Sequence, residues 1–381
     1  MGWKGTDLVH RVKARRMIQI RASFGEKAAN DEFAPYLMVG QRGNVEDELW
    51  NKGVDRSSML AVANSLRSRA IYNYTTGGIL RYESLQHADL SDWQYVTTQK
   101  HDDPHPIEMQ VTEMAFGKTN HGQWLYGRAA RHKDVRLCSV GGNAFYLALR
   151  FHVTREWDHW QNTDWLDRKK WYEIKYITNM ENRQDRDLTS ELSPSTYSNA
   201  IKEALSSLGL PTNKLLHLGR GLGPKILELL QIEQEDIRRL GNWDPRIQEK
   251  CYSTCLPMAA IRGAAGYESN NGMYWNPRST IKVDNRNLRR GTPFGHLEDA
   301  YEFIISYNRD PGNSNKAHTA ERFLKCMTFF NTVFLQDAAA VLILHPERAN
   351  HAIFKLPCFG MEEFQVRLCD PFFRLSSYLL Q

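Results

Sequence analysis

The sequence lacks the features that mark several large classes of protein. Its six cysteines are scattered along 381 residues and no secretory signal precedes them, so we expect reduced thiols in the cytosol or nucleus. Cys251 and Cys255 have no matching second pair, so no zinc site is expected. The apolar runs look shorter than the roughly 18 residues that a membrane span needs, and no membrane partner is expected. Internal repeats and low-complexity tracts are also missing.

The periodicity of the apolar residues predicts a mainly α-helical chain with a small antiparallel β-sheet, an α+β fold. A helical pattern begins after Asp55, a good N-cap, and ends at Gly77 and Gly78. Residues 108–116 alternate like a strand and 124–129 like its returning partner, which places the sheet near residues 94–127. Residues 154–192 have no firm period and predict an elaborated loop. Further helices are predicted at 195–208, 223–231, 234–240, 245–262, 297–306 and 317–345.

Residues 215–230, LLHLGRGLGPKILELL, carry three glycines in five residues ahead of an apolar helical pattern. Their spacing is G-x-G-x-G, whereas a dinucleotide fingerprint needs G-x-G-x-x-G and a P-loop needs a Lys-Ser or Lys-Thr pair. We therefore expect no nucleotide cofactor. Pro224 is expected in the first turn of the helix, where its missing N–H costs nothing. His217 and Arg220 would then lie just before a helix N-terminus, which favours anions.

Six residues in a particular order supply what strand transfer at a DNA phosphodiester requires without a metal. That chemistry needs a nucleophile, two cations for the non-bridging oxygens, an acid for the leaving 5′-oxygen and groups that orient them. Arginine suits the oxygens because its planar guanidinium binds them bidentately and stays charged. The candidates are Arg81, Lys118, His217, Arg220, Trp243 and Tyr252.

In this order the six residues resemble the signature of the tyrosine recombinases: Arg, Lys, His-x-x-Arg, His or Trp, and Tyr. Longer blocks are similar to the crypton-type fungal recombinases and to their domesticated relative, the centromere-DNA-binding subunit of the budding-yeast inner kinetochore. The resemblance covers roughly residues 55–375 and implies a tyrosine-recombinase/integrase catalytic-domain-like fold, double-stranded DNA as partner, a nuclear location and no metal or cofactor. The blocks are SLRSRAIYNYTTGGILRYESLQHADLSD, RLCSVGGNAFYLALRF, GNWDPRIQEKCYSTCLPMAAIRGAAGY and FFNTVFLQDAAAVLILHPERANHAIF.

Carried over position by position, the resemblance implies a role for each candidate. Tyr252 would attack the phosphate and form a 3′-phosphotyrosyl bond, while Arg81 and Arg220 would hold the non-bridging oxygens. Lys118 would protonate the departing 5′-oxygen, and His217 would act as the base or orient Tyr252.

The remaining candidate, Trp243, would pack against the site and donate its indole N–H to the phosphate. Each residue also has an ordinary structural explanation, since Trp243 and Tyr252 suit a core and Lys118 suits a turn. The hypothesis therefore depends on the combination.

Three basic runs support DNA binding, although such runs are usually solvated faces. They span residues 128–136, 168–175 and 278–290. The candidate DNA contacts are Arg128, Arg131, Lys133, Arg136, Lys169, Lys170, Arg278, Lys282, Arg286, Arg289 and Arg290.

The predicted organisation is a short N-terminal arm over residues 1–54 and a recombinase-like DNA-binding domain over residues 55–381, with C-terminal helices 297–379 packed on it. The resemblance implies a helical clamp domain ahead of the catalytic domain, and residues 1–54 are short for one. This favours a domesticated DNA-binding platform over the alternative, an active recombinase. A third hypothesis is an interaction protein that has lost DNA binding. A homodimer or a higher assembly on DNA is a further expectation.

Overall fold

Helices make up most of the structure, a computed structural model that describes residues 26–54, 58–98, 105–114, 125–154, 156–180, 187–210, 214–243, 256–267 and 274–379. The helices of these ranges are α1 (Glu26–Asn51), α2 (Met59–Gly77), α3 (Tyr82–Gln86), α4 (Ser139–Val153), α5 (Glu156–Gln161), α6 (Pro194–Ser207), α7 (Leu218–Leu229), α8 (Gln234–Leu240), α9 (Met258–Ala264), α10 (Arg286–Arg290), α11 (Gly295–Arg309), α12 (His318–Leu344), α13 (Glu362–Phe364) and α14 (Asp370–Leu379). A π-helical stretch, Gln365–Cys369, joins the last two.

One small sheet has the strands β1 (Trp93–Thr98), β2 (Ile107–Met114) and β3 (Leu125–Ala130), in that spatial order. Both pairings are antiparallel, with Tyr95 opposite Gln110 and Val111 opposite Arg128. The predicted fold class, mainly helical with a small antiparallel sheet, is confirmed. The segment predicted as a loop, 154–192, also contains α5 and a short 3₁₀ helix at Arg168–Lys170.

The long helix α12 runs through the main core, where it packs against α4, α11 and β1. It is long and apolar enough to cross a membrane by length and composition, which corrects the expectation that the apolar runs are too short. However, 72% of its most apolar 18-residue window is buried inside the fold. Its buried face also carries Asp337, whose carboxylate lies 2.6 Å from the Arg131 guanidinium. These contacts are those of a core helix in a folded domain.

The helix α1 packs on α2, α6 and α7, so part of the predicted N-terminal arm contributes to the core. Leu49 and Trp50 are fully buried. Glu46 is buried between two arginines, accepting hydrogen bonds from Arg69 and from Arg348, whose Nη1 lies 3.1 Å away. This ion cluster links α1 to the C-terminal part of the chain.

Candidate nucleic-acid interface

Two glycines of the glycine-rich stretch let α7 pack directly on the backbone of α2. A Cβ atom at Gly219 would lie 2.4 Å from the carbonyl carbon of Thr75, and one at Gly223 would lie 2.6 Å from the carbonyl oxygen of Thr76. Such distances are sterically forbidden, and the two glycines are one helical turn apart, on the same face. The glycines therefore allow close packing of the two helices.

The predicted helix start near residue 223 is wrong, because α7 begins at Leu218 and Pro224 lies inside it. Proline removes the backbone hydrogen bond that would reach the carbonyl of Arg220, four residues earlier. The helix nevertheless continues to Leu229, and both glycines pack on α2 from the same face of it. His217 is consequently the N-cap residue, and Arg220 lies in the first turn rather than before the helix.

The turn that follows α2 places Arg81 beside α7. Ile79 has a left-handed backbone conformation, with φ of 53°, and the Leu80 N–H donates to the Thr75 carbonyl at 2.8 Å. This is the hydrogen bond of a Schellman C-cap, although a β-branched residue is rare at the left-handed position. The buried Ile79 side chain packs against Gly223, which holds the turn in place. Arg81 follows as the N-cap residue of α3.

The end of α8 uses the same kind of turn to direct Trp243 back towards α7. Asn242 has φ of 52°, and the Trp243 N–H donates to the Arg238 carbonyl at 3.0 Å. The Asn242 Nδ2 donates to the Tyr126 carbonyl at 3.0 Å, which ties this turn to β3. Asparagine tolerates the left-handed conformation better than most residues, so the sequence suits this turn.

The structure brings Arg81, Arg220 and Trp243 together. The Arg220 guanidinium carbon lies 5.3 Å from the centroid of the Trp243 ring, and its Nη1 donates to the Gly241 carbonyl at 3.0 Å. Arg220 and Arg81 are both half-buried, whereas the Trp243 side chain is 37% exposed. The result is a cationic surface with an aromatic ring at its edge.

Electrostatic repulsion between the two arginines shows in the pKa of Arg220. Burial first, and then the nearby charge of Arg81, lower this pKa from its ordinary value of 12.5 to about 10. Within the described ranges, neither guanidinium has a carboxylate within ion-pair distance. An anion bound between them would offset both the desolvation cost of burying the two charges and the repulsion between them.

The other catalytic candidates are only partly placed. His217 is exposed at the N-cap of α7, one turn from Arg220. Lys118 and Tyr252 lie outside the described residues. Leu256, four residues after Tyr252 in the sequence, packs on the same apolar cluster as Ile79.

A second cationic pair lies where β3 meets α8. The Arg128 guanidinium carbon is 5.4 Å from the centroid of the Tyr126 ring, and burial together with the charge of Arg239 lowers the pKa of Arg128. The sequence analysis names Arg128 but not Arg239, whose guanidinium lies 4.0 Å from the Asp236 carboxylate. The signal for Arg239 was its position in the last turn of a helix directly before GNW, the block that supplies Trp243.

Two predicted DNA contacts lie in the core. Arg131 and Arg278 are both buried, and the Oδ1 atom of Asp337 lies 2.6 Å from Arg131 Nη2 and 3.2 Å from Arg278 Nε. Both guanidinium groups pair with this buried carboxylate inside the fold, so we do not propose the two arginines as contacts to a duplex.

The remaining basic candidates fall into two groups. Exposed lysines are Lys133, Lys169, Lys170 and Lys282. The arginines of the other group form ion pairs with neighbouring carboxylates: Arg136 with Asp134, Arg286 with Glu302, Arg289 with Glu298, and Arg290 with Asp299. An arginine that already has a carboxylate partner gains less from a phosphate, so the exposed lysines are the better candidates.

Fold and site together define a mainly helical protein with an anion-attracting pair of arginines beside an exposed tryptophan. Residues 41–365 match the family model described as centromere DNA-binding protein complex CBF3 subunit, domain 2, and the chain belongs to this family. The family prediction is thereby confirmed. No curated protein matches the chain.

Solved structures with detectable similarity include two complexes of tyrosine recombinases with Holliday junctions. The FLP recombinase complex is 11% identical with a TM-score of 0.39, and the Flpe complex is 12% identical with a TM-score of 0.39. Each alignment covers 87% of this chain and 72% of the other.

Proposed function

We propose that this chain binds double-stranded DNA through a recombinase-like domain and grips the phosphate backbone with Arg81 and Arg220, as a domesticated binding platform. The observation that carries the proposal is the pairing of two half-buried arginines that have no carboxylate partner within the described ranges. Membership of a centromere DNA-binding family supports the same partner.

A backbone phosphate fits this pair on electrostatic grounds. Each guanidinium can donate two parallel hydrogen bonds to non-bridging oxygens, and the phosphate charge lies between two like charges that repel each other when it is absent. Trp243 is exposed enough for its indole N–H to reach a bound phosphate, and His217 stands one turn away on α7. Arg128 and the exposed Lys133, Lys169, Lys170 and Lys282 are proposed as further backbone contacts.

The alternative function is cutting and rejoining DNA through Tyr252. It is favoured by one observation, that Arg81, Arg220 and Trp243, which are far apart in the sequence, are together in space. In this reaction the Tyr252 oxygen bonds to phosphorus and its proton passes to His217. The bond from phosphorus to the 5′-oxygen breaks, and that oxygen takes a proton from Lys118.

Fluorescence anisotropy with a labelled duplex at increasing salt tests DNA binding directly. We expect binding at low ionic strength. The logarithm of the association constant should fall linearly with the logarithm of the salt concentration, with a slope of about 0.9 for each phosphate contacted. Absence of salt-sensitive binding would rule out both versions.

A nicked suicide substrate separates the platform from the enzyme. The platform predicts no covalent protein–DNA adduct and no loss of duplex affinity on Tyr252→Phe. The enzyme predicts an adduct that survives denaturing gel electrophoresis and disappears in Tyr252→Phe. A nuclear location and self-association on DNA belong to the same proposal, and sedimentation with and without the duplex tests the second.

A further inference from the structure

A separate cavity of about 300 Å³ lies between α1, α2 and α6, away from the paired arginines. Its wall is rich in hydrogen-bonding groups. Arg67, in the wall of this cavity, is about 12 Å from Thr75 along α2, given the rise of about 1.5 Å per helical residue. The lining residues that matter are Lys52, Asn64, Arg67, Ser68, Thr196 and Glu203.

The unusual member of this wall is Arg67. Its side chain is only 2% exposed, yet no carboxylate pairs with it within the described ranges. Its Nη1 donates to the Thr178 carbonyl at 3.0 Å, and its Nε is buried without a partner. Burial is the main cause that lowers the pKa of Arg67, and the charge of Arg150 acts in the same direction.

Three other deeply buried arginines of this protein pair with acids. Arg150 lies 2.8 Å from Glu156, Arg131 lies 2.6 Å from Asp337, and Arg69 pairs with Glu46. A buried charge without a counter-ion is costly, so folded proteins pair such groups. Arg67 differs from these three arginines in having no acid partner within the described ranges, and it lies where the fold leaves an open cavity.

We propose that this cavity is a binding site for a small phosphate-bearing anion, free phosphate or a small phosphomonoester, with Arg67 as its main ligand. Lys52 supplies a second cation at the wall. Its Nζ lies 2.7 Å from Glu203, whose side chain is 71% exposed and can turn away into water when an anion arrives. Asn64, Ser68 and Thr196 add neutral hydrogen-bonding groups around the same space.

A phosphate suits the cavity better than a stretch of duplex does. Arg67 is too deeply buried for a long polyanion to reach, whereas a tetrahedral anion fits easily into about 300 Å³. Two cations together with neutral donors match a doubly charged tetrahedral group. The site is thus distinct from the proposed DNA contact at Arg220.

Thermal unfolding and calorimetric titration of the full chain with inorganic phosphate test the proposal, with sodium chloride at matched ionic strength as reference. We expect saturable binding and a rise in Tm of about 2 °C or more at ten times the dissociation constant. Arg67→Met should raise the Tm of the phosphate-free protein, because it removes an unpaired buried charge, and should abolish the response to phosphate.

Three further variants make the result specific. Lys52→Met should weaken phosphate binding about tenfold or more, and it keeps the test informative if Arg67→Met does not fold. Lys202→Met removes an exposed lysine of α6 outside the cavity and should leave binding unchanged. Arg220→Met should also keep the response, which separates this site from the DNA contact.

Two results would overturn the proposal. One is a phosphate response no larger than that to chloride. The other is a response that Arg67→Met and Lys52→Met leave intact while Arg220→Met removes it.

Discussion

Gly219 on α7 lies against Thr75 on α2 so closely that a Cβ atom would be 2.4 Å from the Thr75 carbonyl carbon. This contact determines where Arg220, the next residue of α7, stands relative to the turn that carries Arg81. The anion-attracting site is therefore a consequence of backbone packing between two helices, which only glycine permits.

Gly219→Ala is expected to destabilise the fold by about 1–3 kcal/mol, because the added methyl group must push α7 away from α2. The same shift should separate Arg220 from Arg81 and weaken DNA binding in the protein that remains folded. Urea unfolding and fluorescence anisotropy measure the two effects. Gly360→Ala is the matched control, since no atom lies within 4 Å of its added Cβ. Equal stability of the two variants would contradict the packing role of Gly219.

Residue type and order along the chain are what select the candidates for the proposed site. The candidates Arg81, Arg220 and Trp243 were chosen from their order, and the structure brings them together. The start of α7 was not predictable from local pattern, because glycines and a proline usually end helices. Their helical conformation depends on contacts with Thr75 and Thr76, which lie far away in the sequence.

The basic runs illustrate a different limit of sequence interpretation. Arg131 and Lys133 are two residues apart in the same run, but one is fully buried and the other is exposed. What separates them is Asp337, a carboxylate some two hundred positions later, which pairs with Arg131 in the core. A charge count along the chain contains no information about such a partner, so a basic run alone does not distinguish a core ion pair from a DNA contact.

Arg220→Met should lower duplex affinity by about tenfold to a hundredfold and reduce the salt slope by about one, because one arginine–phosphate contact is lost. Arg81→Met should act in the same direction. The control is Arg286→Met, which removes an exposed arginine already paired with Glu302 at 2.9 Å. Anisotropy titrations at several salt concentrations provide both quantities. A larger loss in Arg286→Met than in Arg220→Met would contradict the proposed site.

Asp337→Asn is expected to be strongly destabilising, by about 3–5 kcal/mol, since it leaves Arg131 and Arg278 buried without their shared carboxylate. Both arginines are buried, so neither can reach water without disturbing the core. Urea unfolding monitored by circular dichroism measures the change. Asp299→Asn, which removes the exposed partner of Arg290, should cost less than about 1 kcal/mol. A small effect of Asp337→Asn would mean that the core ion cluster contributes little to stability.

His351 makes the stability of the fold sensitive to acid. Its ring is buried against Trp50, with 4.1 Å between ring centroids, and its Nδ1 accepts a hydrogen bond from the Ile353 N–H. Burial first, and then the charges of Arg69 and Arg348, lower the pKa of His351 from 6.5 to about 3. The neutral ring is therefore the form that the folded protein accommodates.

Because the unfolded chain binds a proton below about pH 6.5 and the folded chain does not, stability contributed by His351 is complete above that pH and falls as the pH drops towards 3. At pH 5 the loss is about 2 kcal/mol relative to neutral pH. His351→Gln should remove this part of the acid sensitivity while lowering stability at pH 7.5 through lost packing. Urea unfolding at pH 7.5 and pH 5 gives the difference for each protein, with His318→Gln as the control for removing an exposed histidine. If His351→Gln loses as much stability between the two pH values as the unmodified protein, another group is responsible, and the buried His132, whose pKa is lowered to about 3 by burial, is the next to substitute.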